Sequence, residues 1–187
     1  MNITSAITII VVFLVLVVIV LALAFNSRRR SQKLQDHFGP EYDRTVQEKG
    51  NQKAAEMELE QRQRHVEALN IRPLTQVERD RYQADWTEVQ RKFVDNPSQA
   101  IKDADRLIIE VMQLRDYPLA NFEERAAEIS VHYPAVVTNY RAAHEVAMKN
   151  EQNLADTEEL RQAMVYYRSL FTELLKTEPA AVEMEKS

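Results

Sequence analysis

Cysteine is absent from this 187-residue chain, which excludes disulfides and thiolate metal sites alike and suits a reducing compartment. Glycine is almost as scarce, with only Gly39 and Gly50 present. Loops that cradle a phosphate or a dinucleotide need glycines for positive φ and for close backbone approach. P-loop and Rossmann chemistry are therefore excluded. The first 38 residues hold no glycine at all, so a GxxxG helix-pairing face is missing there too. No stretch alternates polar and apolar residues with period two, which leaves helix as the only regular structure the pattern supports.

Catalytic and metal motifs are missing as well. The histidines are His37, His65, His132 and His144. The segment "HEVAM" (144–148) starts like a zinc-protease helix but has Met148 where the second imidazole must lie. A di-iron bundle needs Glu three residues before His on two helices. Those positions hold Leu34, Arg62, Ile129 and Arg141. There is no Gly-x-Ser-x-Gly elbow, and Ser130 and His132 fall on different faces of any helix. The pairs Glu123/Glu124 and Glu158/Glu159 read as first-turn carboxylates favoured by the helix dipole. No catalytic residue, cofactor or metal ligand is expected.

Charge is unevenly spread. Residues 1–70 carry nine Lys and Arg against eight Asp and Glu, whereas residues 71–187 carry fifteen against twenty-one. The second part, at −6, would repel phosphates, so nucleic acid is not an expected partner.

The strongest positive signal is an apolar run, Ile9–Phe25, seventeen residues without a polar side chain. Extended back to Ala6 it reaches about 30 Å as a helix, the thickness of a hydrocarbon core. A cleaved signal peptide needs a basic n-region and a shorter apolar stretch. No Lys or Arg precedes this run, while Arg28, Arg29, Arg30 and Lys33 follow it closely. That asymmetry predicts an uncleaved anchor in a bacterial cytoplasmic membrane, N-terminus outside and C-terminal part in the cytoplasm. These four cations are the residues expected to set topology.

Beyond residues 1–27, the pattern predicts a basic flank and charged helical stalk over 28–72. Within it, residues 40–69 read as one solvated helix about 45 Å long. Its apolar positions are too sparse for a coiled-coil seam, and Gly50 is a weak point. A compact all-α bundle of about five helices is expected over 73–176, followed by a disordered tail at 177–187. The helix signals are specific. Thr75 and Glu78 form a capping box. Asn96 with Pro97, Asn121, Pro134 and Asp156 each open a further helix. Apolar stripes recur on the four longer ones: Tyr82, Trp86, Val89 and Phe93, then Ile101, Ala104, Leu107, Ile108, Val111 and Met112, then Val136, Val137, Tyr140, Ala143 and Ala147, then Leu160, Met164, Tyr167, Phe171 and Leu174, widened by Leu170 and Leu175.

The stretches "FGPEYDRTV", "IRPLT", "RYQADWTEVQRKFVDNP", "FEERAAEISVHYPAVVTNYRAAH" and "LRQAMVYYRSLFTELL" together resemble a family of small bacterial single-span membrane proteins with a helical C-terminal domain. The resemblance implies that architecture and a bacterial origin. It carries no activity, ligand or site residue.

The functional expectation is a membrane-tethered, non-enzymatic helical module that binds a protein partner. An alternative is a small-ligand sensor or enzyme with a cleft near His132, Tyr133, Tyr140 and Tyr166. Another is an envelope protein facing outward.

Overall fold

The fold comes from a computed structural model that describes residues 3–118 and 121–176, with side chains from Phe13 onward apart from Leu23. The expected disordered tail, 177–187, lies outside the described residues. Eight helices and no strand occur among them, so the all-α expectation holds. The chain forms two compact units that divide between His37 and Phe38.

The first unit is built on α1, Ile3–Phe38, a helix of 36 residues. From Phe13 to Phe25 its described apolar side chains are open to solvent, with Phe13 65%, Val18 63%, Leu21 64% and Phe25 58% exposed, whereas Leu34 and Phe38 further along are buried. Among the described residues no helix is long and apolar enough to cross a membrane. The apolar run of the sequence begins at Ile9, whereas the described side chains begin at Phe13. The helix is therefore supported, and its expected transmembrane character is not.

The second unit holds α2 (Pro40–Lys49), α3 (Gln52–Glu67), α4 (Gln76–Asp95), α5 (Pro97–Leu114), α6 (Phe122–His132), α7 (Pro134–Glu151) and α8 (Thr157–Leu174). The single solvated helix expected over 40–69 is corrected here. Gly50 adopts φ 71°, and its N–H caps the Val46 carbonyl, ending α2. Asn51 then accepts from the Ala54 N–H at 2.8 Å and starts α3. A left-handed glycine followed at once by an N-cap reverses the chain. The two helices fold back on each other, with Tyr42 Oη donating to Glu56 at 3.0 Å. Ala55, Leu59 and Val66 are buried, and the hairpin packs on α6 and α7.

The predicted starts of α4 to α8 are all occupied. The Thr75–Glu78 capping box is complete, and Asp156–Glu159 makes a second one at α8. Asn96 and Asn121 accept from the N–H groups of Gln99 and Glu124. Pro134 opens α7 with no side-chain cap. α7 packs along α8, α4 along α5, and α5 on α8. Their stripes merge into one core in which Trp86 stacks on Phe171 at 4.5 Å. Burying each such side chain contributes about 1.5–3 kcal/mol. The buried hairpin residues Tyr42, Ala55, Leu59 and Val66, with Val131 of α6, stand apart from that core.

Candidate functional site

The four residues of the expected cleft do not come together: His132 and Tyr133 share one network, Tyr140 lies in another part of the core, and Tyr166 belongs to neither. His132 ends α6, and Tyr133 joins it to α7. The Tyr117 hydroxyl and His132 Nδ1 are 2.8 Å apart. Arg115, only 1% exposed, donates to the Tyr133 hydroxyl at 2.6 Å and to the Leu174 carbonyl at 2.9 Å. It also donates to the Arg72 carbonyl at 3.1 Å, while the Arg72 N–H bonds back to the Arg115 carbonyl. One guanidinium thus clasps the α3–α4 connection, the end of α5, the α6–α7 corner and the end of α8. Burial raises the pKa of Tyr117 and of Tyr133 above the ordinary phenol value. Both stay protonated at neutral pH, which fits hydrogen bonding rather than base chemistry.

Tyr140 belongs elsewhere. It is fully buried on α7, tilted against Phe122 at 5.0 Å and edge-on to Tyr167 at 6.2 Å. Its pKa is pushed up to about 12, chiefly by burial. His144, one turn further, stacks on Phe122 at 3.6 Å, and burial lowers its pKa. The Tyr140 hydroxyl faces Arg125 and the Tyr167 hydroxyl faces Asp105, each contact looser than an ordinary hydrogen bond. Arg125 and Asp105 lie near enough to act electrostatically on both. Tyr166 is half-buried, packed at the margin of the core on α8.

Sequence reasoning missed a third network. Glu41, 1% exposed, accepts from Arg62 at 3.1 Å and from Arg141 at 3.0 Å, with Arg44 at 3.4 Å. Arg141 also pairs with Glu123, and Arg44 reaches Glu123 at 3.1 Å. The network ties α2 and α3 to α6 and α7. Glu41 follows Pro40 in a first helical turn and so looks like a carboxylate satisfied by the dipole. No local pattern joins it to a residue one hundred positions away. Beside it, a groove of about 260 Å³ between α3 and α6 is lined by residues including Arg62, His65 and Glu128.

Arg28, Arg29, Arg30 and Lys33 are exposed on α1, the Arg29 guanidinium lying 4.3 Å from the Phe25 ring centre. Among the described residues no group of three or more His, Asp or Glu could hold a metal ion. No family model, curated protein or solved structure matches the chain.

Proposed function

We propose that the chain is a membrane-tethered, non-enzymatic helical module, held by α1 in a bacterial cytoplasmic membrane with its second unit in the cytoplasm. The observation that carries this reading is a helix whose described apolar side chains are exposed over Phe13–Leu21, with a basic cluster at residues 28–33. An exposed apolar surface of that kind needs a nonaqueous neighbour. The sequence extends the run back to Ile9, which gives the length a span needs. The four cations favour the cytoplasmic side and an anionic leaflet. The bacterial setting rests on the resemblance of the quoted stretches.

In this reading the second unit binds a protein partner. Its core is filled by its own side chains, and the groove between α3 and α6 offers charged and apolar contacts to a partner. Reporter fusions at the C-terminus test the topology. Activity is expected only from the cytoplasmic reporter, and exchanging Arg28, Arg29, Arg30 and Lys33 for Gln should erode that bias. Equal activity of both reporters in the unmodified chain would overturn the orientation. Crosslinking in intact membranes should recover a reproducible partner, and a chain that crosslinks to no protein would overturn the module reading.

A further inference from the structure

The groove between α3 and α6 holds a carboxylate whose charge the fold balances only weakly. Glu128 of α6 lines the groove and is 8% exposed. Its Oε1 lies 3.6 Å from Nε2 of His65, looser than an ordinary hydrogen bond, and that imidazole is a cation only when protonated. Its Oε2 is buried with no hydrogen-bond partner. Burial raises the Glu128 pKa, His65 lowers it and Glu124 raises it, with burial prevailing. An ionised carboxylate held this far out of water is costly unless a cation meets it.

The surroundings favour a positive ligand. Arg62 lines the same groove, but its guanidinium is committed to Glu41 at 3.1 Å and to Glu58 at 3.2 Å. Lys49 lies 3.6 Å from Glu58 as well. Beyond these pairs, Glu124 and Glu128 line the groove one helical turn apart on α6. Residues 71–187 carry fifteen Lys and Arg against twenty-one Asp and Glu, so the wider field has the same sign. Among the described residues no group of three or more His, Asp or Glu could hold a metal ion. An ammonium or a guanidinium is the cation that fits. At about 260 Å³ the groove falls below the roughly 300–1,000 Å³ of clefts that enclose drug-sized ligands. One long side chain reaching in from a partner's backbone suits that size, and Ala127 offers its aliphatic stem an apolar wall.

We infer that the α3–α6 groove takes a lysine or arginine side chain from a basic segment of a protein partner, with Glu128 as its buried counter-ion and Glu124 as a second carboxylate at the rim. This inference rests on the partner-binding reading and adds the chemistry of the partner.

The test uses the full chain, labelled with nitrogen-15 in zwitterionic micelles, so that no anionic lipid competes for the probe. The probes are short blocked peptides of alanine and glutamine with a central Arg, Lys or norleucine, and free arginine amide. The Arg and Lys peptides should shift the amide signals of Ala127 and Glu128, and the norleucine peptide should not. Glu128→Gln should weaken the Arg peptide at least about tenfold, the scale of one charge-assisted hydrogen bond. That variant should melt no lower than the parent, because it removes a costly buried charge. A photo-crosslinker at Gln61 in intact membranes should capture a Lys- or Arg-bearing segment of another protein, and Glu128→Gln should abolish the capture. Equal binding of the norleucine and Arg peptides, or unchanged affinity in Glu128→Gln, would overturn the site. So would a lower Tm in both Glu128→Gln and His65→Gln, which would make their pair a structural tie between α3 and α6. Free arginine amide binding as tightly as the Arg peptide would replace the protein partner with a small amine, and a crosslink only to a second copy would replace it with self-association. Crosslinks from other surfaces but none from Gln61 would overturn the groove and leave the module reading standing, whereas no crosslink to any protein would overturn both.

Discussion

Replacing Gly50 with Ala distinguishes a folded hairpin from a continuous stalk by the sign of its effect. In a continuous helix, Gly to Ala stabilises by up to about 1 kcal/mol. In the hairpin, Gly50 sits at φ 71° and ψ −2° as the left-handed end of α2. A side chain there costs about 1–2 kcal/mol, partly offset by roughly 0.4–1 kcal/mol from a less flexible unfolded chain. A Cβ at Gly50 would meet nothing within 4 Å, so no steric clash adds to the backbone term. The net expectation is a loss of about 1 kcal/mol, roughly a fivefold change in the opening equilibrium. Hydrogen exchange read by mass spectrometry can localise it. Peptides of α2 and α3 should lose protection about fivefold, while those of α5 and α8 should change little, because the hairpin's buried side chains stand apart from the main core. Increased protection across residues 46–54 would refute the hairpin and restore the single helix.

Two further outcomes follow from the charge networks. Glu41→Gln leaves Arg62 and Arg141, each with a side chain 11% exposed, without their shared carboxylate. Glu58 and Glu123 still partner them, so the loss should be about 3 kcal/mol, the low end for a broken buried pair. Urea denaturation measures it, and a change below about 0.5 kcal/mol, typical of surface positions, would contradict the buried node. At α4, Arg72 and the Thr75 N–H hold the Glu78 carboxyl at about 2, below its ordinary 4.5. A folded value below the unfolded one means that this stabilisation is present above pH 4.5 and is lost as pH falls through about 2. A carboxyl-detected NMR titration should find Glu78 near that value and shifted upward by Arg72→Ala. An ordinary midpoint in the parent protein would refute the pairing.

The bundle was legible because its signals are local. Caps at Thr75, Asn96, Asn121 and Asp156 and the stripe on each helix lie within a few residues of one another, and the structure realises them. The hairpin was not legible, because Gly50 weakens a helix and ends one with the same side chain, and only tertiary contacts choose. Glu41 and Arg141 are separated by one hundred residues. Their union needs the fold. Tyr140 and Tyr167 were readable as core from spacing, but whether a buried phenol finds a partner depends on neighbours from other helices. Tyr133 sat beside a proline in the sequence and proved to be an acceptor for the buried Arg115, which no local signal announces.

The tether itself is tested most directly by alkaline carbonate extraction of membranes from cells expressing the full chain or a chain beginning at Phe38. The account predicts that the full chain stays in the membrane pellet while the shortened chain, which lacks the first unit, appears in the wash. Release of the full chain by carbonate would contradict it.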